Sequence, residues 1–108
     1  MGADVNEPCN SDIDQATPLH FAVMANKHQN AFLLLDKGAN PNLKDNEGDT
    51  PLHIAVNQQD PEMIALLTQF NSKLKVKNKK GMTPVDIAQS RGNLEILRFF
   101  LDSGKLKF

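Results

Sequence analysis

One six-residue pattern recurs at a fixed spacing and limits what this chain can fold into. Thr-Pro-Leu-His-Phe-Ala begins at Thr17, and closely related hexapeptides begin at Thr50 and Thr83, so the spacing is 33 residues both times. Gly48 and Gly81 keep the same register, two residues before the second and third Thr. Self-similarity at such a period indicates a solenoid of supersecondary units, each of which needs its neighbours to bury its apolar face.

The residues around each hexapeptide predict a pair of helices. The Thr hydroxyl can cap a helix, and the Pro that follows suits the first helical position, where its missing N–H costs nothing. We predict short first helices over about 18–25, 51–58 and 84–91, and second helices over about 27–37, 61–70 and 94–103. The second helices carry most of the apolar side chains, and in the first repeat the apolar face is expected to be filled by Phe32, Leu33, Leu34 and Leu35.

The hexapeptide and its period resemble the ankyrin repeat family, whose mark is Thr-Pro-Leu-His-x-Ala. The resemblance covers residues 12–104 and implies an all-α repeat fold, an ankyrin-repeat solenoid of helix–turn–helix units joined by β-hairpin loops. The repeats are expected over about 12–44, 45–77 and 78–108, with 1–11 as the tail of an upstream repeat or an N-terminal cap segment. The resemblance also implies that His20 and His53 hydrogen-bond the neighbouring Thr and backbone.

The three repeats are not equivalent. The turn between the helices of a repeat favours glycine, but here it holds Asn26, Gln59 and Gly92. Asn tolerates a positive φ and Gln does so poorly, so we predict either local strain at Gln59 or a different turn there. The third repeat has Asp86 where the others have His, a polar change that suits a terminal repeat meeting water.

Charge is distributed unevenly along the chain. Residues 1–70 carry ten acids and three bases, whereas residues 71–108 carry nine bases and three acids. In the segment 73–80, which we call the lysine hairpin, four lysines alternate with other residues and a fifth follows. In an extended arm the four would share one face. Such a ridge could attract a carboxylate-rich protein, an anionic lipid or a nucleic acid; alternatively it is a solvated edge that prevents aggregation.

No pattern of catalytic or metal-binding residues is present, so we expect no enzyme activity, no metal, no cofactor and no small-molecule substrate. The single cysteine, Cys9, permits no internal disulfide, which favours a cytoplasmic location. The expected function is that of a non-catalytic protein–protein interaction module, a scaffold or adaptor, acting as a monomer within a larger intracellular protein. The alternative is binding of anionic lipid or nucleic acid through the lysine hairpin.

The resemblance implies where a partner would bind. Partners of ankyrin-like stacks lie along the hairpin tips and the exposed face of the first helices. Carried over by register, the partner-binding positions are Ile13, Asp14, Met24, Lys44, Asn46, Glu47, Asp49, Asn57, Gln58, Lys77, Lys79, Lys80, Met82 and Arg91.

Overall fold

The threonine–proline pairs begin helices, as predicted. The computed structural model describes residues 17–102, with side chains to residue 100, and every regular element in this span is an α-helix. The bounds are Pro18–Met24 (α1), His28–Asp36 (α2), Pro51–Gln58 (α3), Pro61–Gln69 (α4), Pro84–Ser90 (α5) and Leu94–Asp102 (α6). Each predicted bound lies within one residue of the observed one, and the all-α repeat fold is confirmed.

Each first helix is fixed at its start by a reciprocal cap. The Thr17 hydroxyl accepts from the backbone N–H of His20, and the Thr17 N–H donates to Nδ1 of His20 at 3.0 Å. Thr50 makes the same pair of bonds with His53, and Thr83 makes it with Asp86. Because each cap satisfies donors that a helix end leaves free, it sets where the helix starts.

The turns between the paired helices adopt the left-handed conformation. Asn26, Gln59 and Gly92 have φ values of 59°, 58° and 66°. A positive φ is unfavourable for a side chain such as that of Gln, which has no local bond to compensate it. Gln59 therefore adopts the same left-handed turn as Asn26 and Gly92 rather than a different one, and the energetic cost there stays a prediction.

The helices stack in register from repeat to repeat. First helix packs on first helix, α1 against α3 and α3 against α5, and α2 packs against α4. The alanines of the hexapeptides lie at these contacts and are buried: Ala22, Ala55 and Ala88. The largest side chains sealed between the layers include Leu19, Leu52, Met63, Ile64, Leu67 and Phe100.

The second helix of the first repeat, α2, buries fewer of its apolar residues than predicted. Leu35 is buried and Leu34 is partly buried, but Phe32 and Leu33 are 44% and 46% exposed. Four consecutive residues cannot share one face of a helix with 3.6 residues per turn. Ala31 takes the inward position instead. The expectation that all four would fill this face was wrong.

Histidines join each repeat to the next. Because Nδ1 of His20 accepts from Thr17, its proton is assigned to Nε2, which donates to the carbonyl of Asp49 at 2.8 Å. His53 makes the equivalent bond to the carbonyl of Met82 at 2.9 Å. The structural role implied for both histidines is confirmed, and each bond spans a repeat boundary.

Candidate functional site

Two loop tips of the same design project between the repeats. In tip 1 (residues 45–49) the N–H of Asp45 donates to the carbonyl of Asp49 at 2.9 Å. The Asp45 carboxylate accepts from the N–H groups of Glu47 (2.9 Å) and Asp49 (3.0 Å). The Asp45 side chain thus accepts backbone hydrogen bonds within the turn and holds the turn closed.

Tip 2 (residues 78–82) repeats this arrangement with an amide. Asn78 donates its N–H to the Met82 carbonyl at 2.9 Å, and its side-chain oxygen accepts from the N–H groups of Lys80 (2.9 Å) and Met82 (3.0 Å). No strand is formed within residues 17–102, so the expected β-hairpins are extended arms closed by these turns rather than paired ladders.

The two tips are bonded side by side. The Lys79 N–H donates to the Glu47 carbonyl at 3.0 Å, and the Asn78 amide donates to the Asp49 carboxylate at 2.9 Å. Gly48 makes this approach feasible, since a β-carbon there would lie 2.7 Å from the Lys79 nitrogen. The tips therefore form one continuous wall.

The first helices form the opposite wall, and side chains cross between them. The Gln58 amide donates to the Met24 carbonyl at 3.0 Å, joining α3 to α1. Nε of Arg91, which follows α5, donates to the Asn57 side-chain oxygen at 3.0 Å. Polar side chains that look solvated in the sequence are thus held in fixed positions on this wall.

Between the walls lies a groove of about 600 Å³, which we call the tip groove. Eight of the predicted partner-binding residues line it: Met24, Glu47, Asp49, Asn57, Gln58, Lys80, Met82 and Arg91. Six further residues complete its lining: Asp45, His53, Ile54, Asn78, Ile87 and Ser90. Ile54 and Ile87 occupy the variable fifth position of the hexapeptide, a register signal that could have placed them on the groove floor.

Six of the predicted partner-binding residues remain. Ile13 and Asp14 fall outside the described residues. The four that the structure places outside the tip groove are Lys44, Asn46, Lys77 and Lys79. The three lysines are exposed and Asn46 is half-buried, so their part in binding stays a prediction.

The lysine hairpin has the alternation that its sequence indicates. Leu74 is buried and Val76 is half-buried, so the arm rests on the core through these two side chains. The cationic side chains point outward, and every one is exposed: Lys73, Lys75, Lys77, Lys79 and Lys80. Within the described part of the chain none of them forms an ion pair. Exposed lysines thus alternate with more buried side chains, and a shared basic face that binds a partner stays a prediction.

His20 supports tip 1 from the interior. Burial lowers the pKa of the His20 imidazole below its usual 6.5, because the charged ring would lose its hydration. The bond to the Asp49 carbonyl and the nearby Asp45 and Asp49 carboxylates oppose this shift without cancelling it. The neutral ring is also the form that accepts from Thr17, so geometry and environment agree.

Other features of residues 17–102 do not suggest chemistry. No three His, Cys, Asp or Glu side chains converge there as a metal site would require, and none of the helices described has the length and apolar content to cross a bilayer. A smaller cavity of about 230 Å³ lies where α4 and α6 begin. On its rim the Asn93 amide donates to the Gln59 side chain at 3.1 Å, so this polar pair is already satisfied.

Paired helices repeated three times, with a groove between loop tips and first helices, define a helical solenoid. The family model for ankyrin repeats matches residues 19–107 in three copies. The chain therefore belongs to the ankyrin repeat family, as the hexapeptides indicated. A search of curated proteins found no match to this chain.

Proposed function

We propose that this chain is a non-catalytic interaction module that binds another protein in the tip groove. Ankyrin repeats are generally protein–protein interaction modules and are typically non-enzymatic. The observation that carries the proposal is the groove itself, which lies between the loop tips and the first helices and is lined by polar side chains held in place.

The composition of the groove fits a protein partner. Charged side chains of both signs line it together with exposed or half-buried apolar ones, Met24, Ile54, Met82 and Ile87. Protein interfaces combine such apolar contacts with a polar rim, and Met adapts to varied surfaces.

We also propose that the chain acts as a monomer. We further propose an intracellular compartment, since the lone Cys9 leaves no internal disulfide to form.

Site-specific photo-cross-linking tests the proposal. A photoreactive residue is placed at Ser90, which is exposed, lines the groove and ends α5, or at the control position Gln69, which is exposed and ends α4 away from it. In cell lysate we expect protein adducts from Ser90 and none of the same proteins from Gln69. Adducts from Gln69 alone would place binding on another face and contradict the proposal.

A second candidate, favoured by the five exposed lysines, is binding of anionic lipid or nucleic acid through the lysine hairpin. Alanine at Lys77, Lys79 and Lys80 should then abolish co-sedimentation with phosphatidylserine vesicles, or retention of an oligonucleotide, at low salt. If wild type and triple variant behave alike in both assays, this candidate is eliminated.

A further inference from the structure

The charges in the tip groove are ordered along the stack, which bears on the kind of partner it fits. We propose, resting on the function proposed above, that the groove binds an extended segment of the partner protein. A carboxylate of that segment binds Arg91 and Lys80, and a cationic side chain of the same segment lies against Glu47. An apolar residue between them covers the floor.

Arg91 is prepared to receive a carboxylate. Its side chain is exposed, and the bond from Nε to Asn57 fixes the plane of the guanidinium. The two terminal amino groups have no hydrogen-bond partner among the described residues. Their parallel N–H bonds match the two oxygens of a carboxylate, and a fixed fork loses little entropy on binding.

Lys80 adds a second cation to the same end. Its backbone is held by Asn78 in tip 2, while its ammonium group forms no ion pair with any residue of the described span. Arg91 and Lys80 line one groove from opposite walls. An anionic side chain entering there would meet positive charge from both sides, and neither cation is paired with an acid of the described residues.

Tip 1 gives the other end the opposite sign. Oδ1 of Asp45 accepts from two backbone N–H groups, and Oδ1 of Asp49 accepts from the Asn78 amide. The Glu47 carboxylate is exposed and has no partner at either oxygen within the described residues, so it is the acid of tip 1 most available to a cation. The half-buried side chains of Ile54 on α3 and Ile87 on α5 supply apolar surface to the same groove.

This order favours a polypeptide with both charges over a uniform polyanion. A membrane surface, a nucleic acid or a phosphorylated segment pressed into the groove would bring dense negative charge toward the three acids of tip 1. Like charges at close range oppose association. A segment with one cationic, one apolar and one carboxylate side chain avoids this repulsion and uses both ends.

Peptide display with charge reversal tests the inference. A random peptide library is selected on the folded protein, and the affinity of one selected peptide is measured by fluorescence anisotropy for wild type, Arg91→Glu, Arg91→Gln and Lys75→Glu. Lys75 is an exposed lysine outside the groove and serves as the charge-matched control. Circular dichroism confirms that each variant is folded.

We expect the selected peptides to carry an Asp or Glu, and Arg91→Glu to weaken binding at least about tenfold while Lys75→Glu changes it less than about twofold. Replacing the peptide acid by Lys should restore binding to Arg91→Glu. Selected peptides that bind Arg91→Glu and Lys75→Glu equally would overturn the inference and leave the proposed function standing. Failure to select any peptide on folded protein would count against both.

Discussion

Replacing Gly48 by alanine tests whether the two loop tips truly form one wall. A β-carbon at Gly48 would lie 2.7 Å from the backbone nitrogen of Lys79 and 3.1 Å from two backbone atoms of Asn78. Backbone atoms cannot rotate aside, so the tips must separate. Gly81 is the matched control, because it occupies the same place in tip 2, has a φ of +75° against +78°, and has no atom within 4 Å of its added β-carbon.

The difference between the two variants isolates the contact between the tips. Alanine at either position costs about 1–2 kcal/mol for the left-handed conformation, and the gain in chain stiffness of the unfolded state is the same for both. Separation of the tips additionally breaks the bonds from Lys79 to Glu47 and from Asn78 to Asp49, each worth about 1 kcal/mol. We therefore expect Gly48→Ala to lower the free energy of unfolding by about 2 kcal/mol more than Gly81→Ala does.

Urea unfolding followed by circular dichroism measures both values, and an osmolyte in all samples keeps the weaker variant folded at zero urea. The dependence of the unfolding free energy on urea concentration should be the same for the two variants, because unfolding exposes nearly the same surface in both. Equal losses of stability, within about 0.5 kcal/mol, would show that the tips do not depend on each other, and the continuous wall of the tip groove would have to be abandoned.

Three further predictions concern single side chains. Gln59→Gly should raise the melting temperature by about 2–5 °C, because relief of the left-handed strain exceeds the loss of the exposed bond from Asn93. The control Asn26→Gly, at a φ of 59°, should raise the melting temperature less. Equal increases would exclude strain specific to Gln59. Ser72→Ala should raise the free energy of unfolding by about 1 kcal/mol in urea titration, because the Ser72 hydroxyl is buried without a hydrogen-bond partner among residues 17–102; a loss would reveal a bonding partner. Since burial lowers the pKa of His20 in the folded state, stability should be complete above 6.5 and decline as pH falls below it, where the unfolded chain takes up a proton and the folded ring does not. Nuclear magnetic resonance titration of the ring should give a His20 midpoint below 6.5, and a midpoint above it would refute the assignment.

The sequence was sufficient for features that depend on a residue and its near neighbours. The caps at Thr17 and Thr50 and the positive φ at Gln59 follow from local chemistry and from the 33-residue register. It was not sufficient where the outcome depends on how one repeat is placed against another. Which apolar residues of α2 face inward, and why Leu33 does not, is decided by the rotation of the helix in the stack.

The candidate site shows the same division. Register placed Lys80 and Lys77 together as hairpin positions, yet only Lys80 lines the tip groove. The bond from Arg91 to Asn57 joins residues 34 positions apart, and nothing in either hexapeptide foretells it. Such contacts depend on the lateral offset between neighbouring repeats, a quantity that a single repeat does not encode.

The histidine bonds across the repeat boundaries have a consequence for lengthening the array by design. Each loop tip is held in position by a hydrogen bond from the histidine of the preceding repeat. His20 bonds to the carbonyl of Asp49, and His53 bonds to the carbonyl of Met82. Asp86 caps its own helix but has no ring nitrogen with which to hold a successor. In a repeat added after the third, the loop tip would therefore lack the histidine bond that positions the tips of the second and third repeats. The substitution Asp86→His would supply that bond. The alignment of a groove extended in that direction would depend on it.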